Sequence, residues 1–133
     1  MNVERCICYS VSIDDQPGEL LRFTLKMRDA GVNLQGLWGL GVGGGRAQLY
    51  AVAADEAALQ AGLQAGGYQG TRGTCFRVEG DDKIGALCES LDRIESLGIN
   101  LHAVDAISVA GRCAAYLWAD EKDVERVAKA LGC

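Results

Sequence analysis

The chain has 133 residues, of which 49% are apolar and 23% charged, and a formal net charge of −5. This composition specifies one ordinary globular domain or two very small ones and excludes a disordered chain, while an acidic balance without a basic face excludes the usual nucleic-acid binder. No apolar run approaches the roughly 18 residues of a membrane span, and residues 1–6 lack the basic region and apolar core of a signal peptide, so a cytoplasmic location with six reduced thiols is expected.

The first expected element is a strand over Ile7–Ile13, where side chains alternate with period 2. Pro17-Gly18 then opens an amphipathic helix. Leu20, Thr24, Met27, Ala30 and Gly31 fall on one side and Arg22, Lys26 and Asp29 on the other, with Gly31 as its stop. Two strands follow, Asn33–Val42 and Arg46–Ala53, flanking Gly43-Gly44-Gly45 as a hairpin. Asp55 is the expected N-cap of a helix carrying Leu59 and Leu63. A linking stretch holds strand-like Thr74–Val78.

The same series then recurs. Asp14-Asp15-Gln16-Pro17-Gly18-Glu19-Leu20 returns as Asp81-Asp82-Lys83-Ile84-Gly85-Ala86-Leu87, and the same interval carries Gly31 to Gly98, Asn33-Leu34 to Asn100-Leu101, and Val42 to Val109. One residue fewer carries Arg46 to Arg112, Tyr50 to Tyr116 and Ala53 to Ala119. Turn residues, glycines and aromatics repeating in one order mark a duplication, which governs the fold. In the second copy Leu87, Leu91, Ile94 and Leu97 form the helical stripe. Asn100–Val109 and Cys113–Ala119 form the hairpin around Ala110-Gly111, and Asp120 caps a helix with Val124, Val127 and Leu131. The second copy ends directly after that helix, so a closing strand must be shared or swapped. Halves of this size bury only about 60% of their unfolded surface, so they are expected to pack together, and a dimer of chains is expected as well.

Strand–helix–strand–strand–helix with Asp15-Gln16-Pro17-Gly18-Glu19-Leu20 between first strand and helix, then Ala30-Gly31-Val32-Asn33-Leu34, resembles the ACT domain family. Asp82–Leu87 and Leu97-Gly98-Ile99-Asn100-Leu101 are the second set. The resemblance spans nearly the whole chain, with module 1 over residues 1–70 and module 2 over 71–133. It implies an α+β fold: two tandem ferredoxin-like βαββαβ modules with antiparallel sheets and helices on one face. It also implies a regulatory protein that binds amino acids at module interfaces. Ile84 stands where the family pattern has proline.

The chemistry of the loops agrees with that implication. A helix start presents unpaired N–H groups and the positive end of a dipole, which attract a carboxylate. Gly18 and Gly85 allow close approach to the backbone. An amino acid's ammonium needs acceptors, for which Asn33, Asn100, Asp15 and Asp82 are candidates. Since a helix of about 14 residues is about 21 Å long, each asparagine starts its strand at the end opposite its own loop. Composite sites are therefore expected. One joins Asp15, Gln16, Pro17, Gly18, Glu19 and Leu20 to Asn100 and His102. The other joins Asp82, Lys83, Ile84, Gly85, Ala86 and Leu87 to Asn33 and Gln35. A partner chain supplying the asparagines is the other arrangement. The plain alternative is that the aspartates are helix caps and the asparagines turn residues.

Sharper motifs fail on context. Gly39-Leu40-Gly41-Val42-Gly43-Gly44 fits a dinucleotide pattern, but a strand follows it and the nearest acid is Asp55. Cys6 and Cys8 share a strand face and could meet Cys75, yet no structural zinc spacing is present. Buried thiols are the expectation there, with Cys133 exposed. His102 is the sole histidine, and nothing assembles an acid, base and nucleophile. The expected protein is thus a non-catalytic regulator without cofactor or metal. It would take a free amino acid, form a homodimer and act on a separate metabolic enzyme, binding neither nucleic acid nor membrane. A structural interaction module on the same fold, with degenerate sites and no ligand, is the competing expectation.

Overall fold

The computed structural model describes residues Met1–Cys133. In chain order the elements are β1 (Asn2–Asp14), α1 (Glu19–Asp29), β2 (Leu34–Gly43), β3 (Arg46–Ala53), α2 (Glu56–Ala65), β4 (Gly70–Asp81), α3 (Cys88–Glu95), β5 (Leu101–Val109), β6 (Arg112–Ala119), a 3-10 turn (Glu121–Asp123) and α4 (Val124–Leu131). They divide into two compact units, one of Ile7–Gly73 and one of Met1–Cys6 with Thr74–Cys133. The chain therefore passes from one unit to the other inside β1 and again inside β4.

In the Ile7–Gly73 unit, β3 lies between β2 and β1, antiparallel to both. Tyr9, Val11 and Ile13 of β1 and Ala47, Leu49 and Ala51 of β3 send alternate side chains to one face, where α1 and α2 cover them. The stripe of α1 differs from the sequence expectation. Phe23 and Met27, four residues apart, are the buried pair, whereas Leu20 is 49% exposed. The ring of Phe23 meets Tyr68 edge-to-face at 5.1 Å, which anchors this register. Pro17 lies just outside the helix, because Gly18 takes the N-cap position at φ 90°. The helix closes as a Schellman motif. Gly31 takes φ 72°, and Val32 N–H donates to Met27 O at 2.9 Å. Asp55 caps α2 as expected, its carboxylate accepting from Ala58 N–H at 3.1 Å.

In the other unit β6 lies between β4 and β5, again antiparallel. Phe76, Val78, Ala115 and Leu117 meet Ile94 of α3 and Val124, Val127 and Leu131 of α4 in the core. Leu97, expected in the α3 stripe, is exposed beyond the helix end. Asp120 opens the 3-10 turn without a side-chain cap, so α4 begins at Val124. The strand that this half lacks comes from the beginning of the chain. Val3 packs on its core, Glu4 pairs with Arg77, and Arg5 reaches Glu125 of α4 at 2.5 Å.

Each unit is thus a ferredoxin-like βαββαβ module with its helices on one face of an antiparallel sheet. No helix is long and apolar enough to cross a membrane.

Candidate ligand-binding loops

The loop between β1 and α1 is pinned where the strand ends. Asp15 N–H donates to Gly45 O at 2.9 Å. Arg46 at the start of β3 pairs with Asp14 and also donates to Ser12 Oγ at 2.9 Å. Beyond this latch, Asp15, Gln16, Pro17, Gly18 and Leu20 are exposed and Glu19 half-buried. No side chain caps α1, although Glu19 N–H already turns back to Gln16 O at 3.3 Å. A Cβ on Gly18 would meet nothing within 4 Å: open space lies above the backbone at that point.

The loop between β4 and α3 repeats the construction. Asp82 N–H donates to Gly111 O at 2.9 Å, and Arg112 Nη1 lies 2.7 Å from Asp81 Oδ1. Ser108 of β5 adds a hydrogen bond to Asp82 Oδ2. Gly85 has φ 73°. Lys83 is exposed and Ile84 fully open to solvent, with Ala86 and Leu87 half-buried. Ala86 N–H turns back to Lys83 O at 3.1 Å and Cys88 N–H to Gly85 O at 3.0 Å, so two donors of this helix start are already used. Beside the loop lies a cavity of about 410 Å³ lined by Glu79, Asp81, Lys83 and Arg112 together with Met1 and Asn2. Carboxylates and cations share that wall, which suits a zwitterion better than a simple anion.

The acceptor candidates are exposed at the other end of each helix. Asn33 and Gln35 flank the start of β2, and Asn100 and His102 the start of β5. With α1 spanning 11 residues, about 16 Å at 1.5 Å per residue, neither unit brings its own asparagine to its own loop. His102 Nδ1 lies 3.6 Å from Asp120 Oδ1, a partner that the sequence did not suggest. Nor did it point to Arg46 and Arg112 as loop latches, although both stood out as repeat-matched positions.

No group of three or more metal-ligating side chains converges anywhere in the chain. In the Ile7–Gly73 unit, Tyr9 Oη donates to Glu56 Oε1 at 3.1 Å, which Arg72 also holds at 2.5 Å. The Arg72 hydrogen bond, helped by Tyr9, lowers the Glu56 carboxyl below its ordinary value; burial raises the Tyr9 phenol. That trio ties α2 to the sheet. Outside the loops, the edge strands carry large apolar residues in the open: Leu40 and Val42 on β2, and their duplicates Ile107 and Val109 on β5.

No family model matches the sequence, and no curated protein matches it. Solved structures match the fold. A protein from Bacteroides thetaiotaomicron aligns at TM-score 0.82 and 14% identity, covering 99% of this chain and 92% of that one. The ligand-free regulatory subunit of aspartate kinase from Thermus thermophilus aligns at TM-score 0.64 and 14% identity, covering 98% and 93%. The corresponding subunit from Thermus flavus aligns at 0.59 and 17% identity, covering 98% and 94%. At such identities the likeness is one of fold.

Proposed function

We propose that this chain, whose fold is a tandem pair of ACT modules, is a non-catalytic regulatory protein of the cytoplasm that binds a free amino acid at its strand-to-helix loops. The observation that carries the reading is the duplicated latch. In both halves an Asp–Arg pair and a backbone hydrogen bond fix the end of the strand, next to a glycine with positive φ and a helix start without a side-chain cap. Such a start offers N–H donors to a carboxylate. The mixed-charge cavity beside Lys83 and Arg112 supplies counterparts for both ends of a zwitterion.

The ammonium is received by residues that a unit cannot bring to its own loop. The sites are therefore composite: Asp15–Leu20 with Asn100 and His102, and Asp82–Leu87 with Asn33 and Gln35, the asparagines coming from a second chain. Exposed Leu40, Val42, Ile107 and Val109 support a homodimer that covers these edges. Ligand binding stabilises the assembled interface by RT ln(1 + [L]/Kd), and the bias is passed to a separate enzyme. The aspartate kinase neighbours are themselves regulatory subunits, which supports a trans-acting role.

The same exposed edges favour a second reading, an interaction module whose loops hold no ligand. Thermal melting against each of the twenty amino acids separates the two. A selective rise for one or two of them, lost in Gly18→Val or Gly85→Val, supports the sensor. No rise with any leaves the interaction module.

A further inference from the structure

Within the second unit, three contacts join the beginning of the chain to β4. Met1 packs against Gly80, Glu4 pairs with Arg77, and the Cys6 thiol, which donates to Glu4 O at 3.7 Å, has the Cys75 side chain beside it. Residue numbers rise on β1 as they fall on β4 through the Met1–Gly80 and Glu4–Arg77 contacts, an antiparallel order that sets Cys6 opposite Cys75. Opposed residues on antiparallel strands hold their Cα atoms about 4.5–5.5 Å apart, inside the roughly 4.4–6.8 Å that a disulfide spans. Both side chains lie on the sheet face away from α3 and α4, because the intervening Arg5 reaches Glu125 of α4. Neither is in a disulfide.

We propose that Cys6 and Cys75 are a site of reversible oxidative modification, forming a disulfide with hydrogen peroxide that fastens the first segment of the chain to β4. Cys6 is the nucleophile: the hydrogen bond from Cys75 and the nearby Arg77 guanidinium hold its thiol below the ordinary value, against burial and Glu4. It also keeps 7% exposure, whereas Cys75 has none, and peroxide is small enough to reach it. The Cys6 thiolate attacks one peroxide oxygen, the O–O bond breaks and hydroxide leaves, giving a sulfenic acid. Cys75 then attacks the Cys6 sulfur, its proton going to the departing hydroxyl, and water is released as the S–S bond forms. Two thiols are oxidised to one disulfide and peroxide is reduced to two waters, counting the proton that Cys6 gave up.

The other cysteines are placed differently. Cys8, two residues along the same face, lies against Gly73, whose added Cβ would stand 4.0 Å from Cys8 O. Cys113 is buried on β6, and Cys88 and Cys133 are exposed.

The test uses the full chain with Cys88→Ser and Cys133→Ser, treated with stoichiometric peroxide, alkylated and mapped without reduction. The expected result is a Cys6–Cys75 cross-linked peptide and a Tm raised on the order of 10 °C, as for a long closed loop. Both are reversed by dithiothreitol and absent in Cys6→Ser and in Cys75→Ser. Both cysteines recovered alkylated, Cys6 recovered as sulfinic acid without a cross-link, or a bridge between other cysteines overturns the proposal. If a serine variant fails to fold, the peptide map of the parent protein decides alone.

Discussion

Arg112 Nη1 sits 2.7 Å from Asp81 Oδ1, and the duplicate positions Arg46 and Asp14 form the same pair in the other half. Both pairs are exposed, so each contributes less than about 1 kcal/mol to stability. Their structural effect is to hold the strand end from which each loop departs. Arg112→Ala and Arg46→Ala are accordingly expected to shift the unliganded Tm by only a few degrees while weakening the rise produced by the bound amino acid. Melting curves with and without that amino acid check this. An undiminished rise in both variants would separate the latches from ligand binding.

Gly36 and Trp38 give a sharper stability prediction. A Cβ added at Gly36 would stand 2.3 Å from the Trp38 ring and within 3.0 Å of two further ring carbons. The indole has to move, and with it the cross-strand pair Trp38–Tyr50. Gly36→Ala should cost about 1–3 kcal/mol, measurable as a lower urea midpoint at unchanged slope.

The stripe of α1 is tested by two truncations. Phe23 is fully buried against Tyr68, so Phe23→Ala should cost about 3–5 kcal/mol. Leu20→Ala, on the open side of the same helix, should change stability by less than about 0.5 kcal/mol. Equal losses in the two variants would contradict the observed helix phase.

Acid stability should depend on Glu56. Its carboxyl is held below the ordinary value by the Arg72 hydrogen bond first and by Tyr9 second. A depressed folded value means the unfolded chain binds the proton more readily, so the stabilisation is complete above the unfolded carboxyl value of about 4.3 and lost as pH falls through the folded one. Glu56→Gln should therefore be less stable than the parent near neutrality, the gap closing on acidification. Urea midpoints from about pH 7 to about pH 3 provide the measurement, and a gap that stays constant would exclude this linkage.

How much of this was readable beforehand depended on the range of each interaction. Period-2 alternation and the duplication placed β3, the hairpins and both glycine-led loops correctly. The stripe of α1 was misjudged because Phe23 is defined by its contact with Tyr68, a residue beyond the next helix. The strand expected over Ile7–Ile13 in fact starts at Asn2, because Glu4 and Arg5 fall outside the apolar alternation. They are ordered by Arg77 and Glu125, on opposite faces of the strand and far along the chain. The loops themselves showed as repeats, but their latches join residues 32 and 31 positions apart, a separation at which local patterning carries no information.

Because β1 and β4 each change unit midway, the inherited halves of the sequence are not autonomous pieces. A fragment cut at the repeat boundary would carry the opening of a strand that belongs to its sibling and lack the ending of its own, leaving raw backbone along one edge. A gene fusion that inserts a partner between the two copies would meet the same obstacle, whereas the glycine hairpin at Gly43–Gly45 is a site where foreign sequence can be spliced without severing β1 or β4.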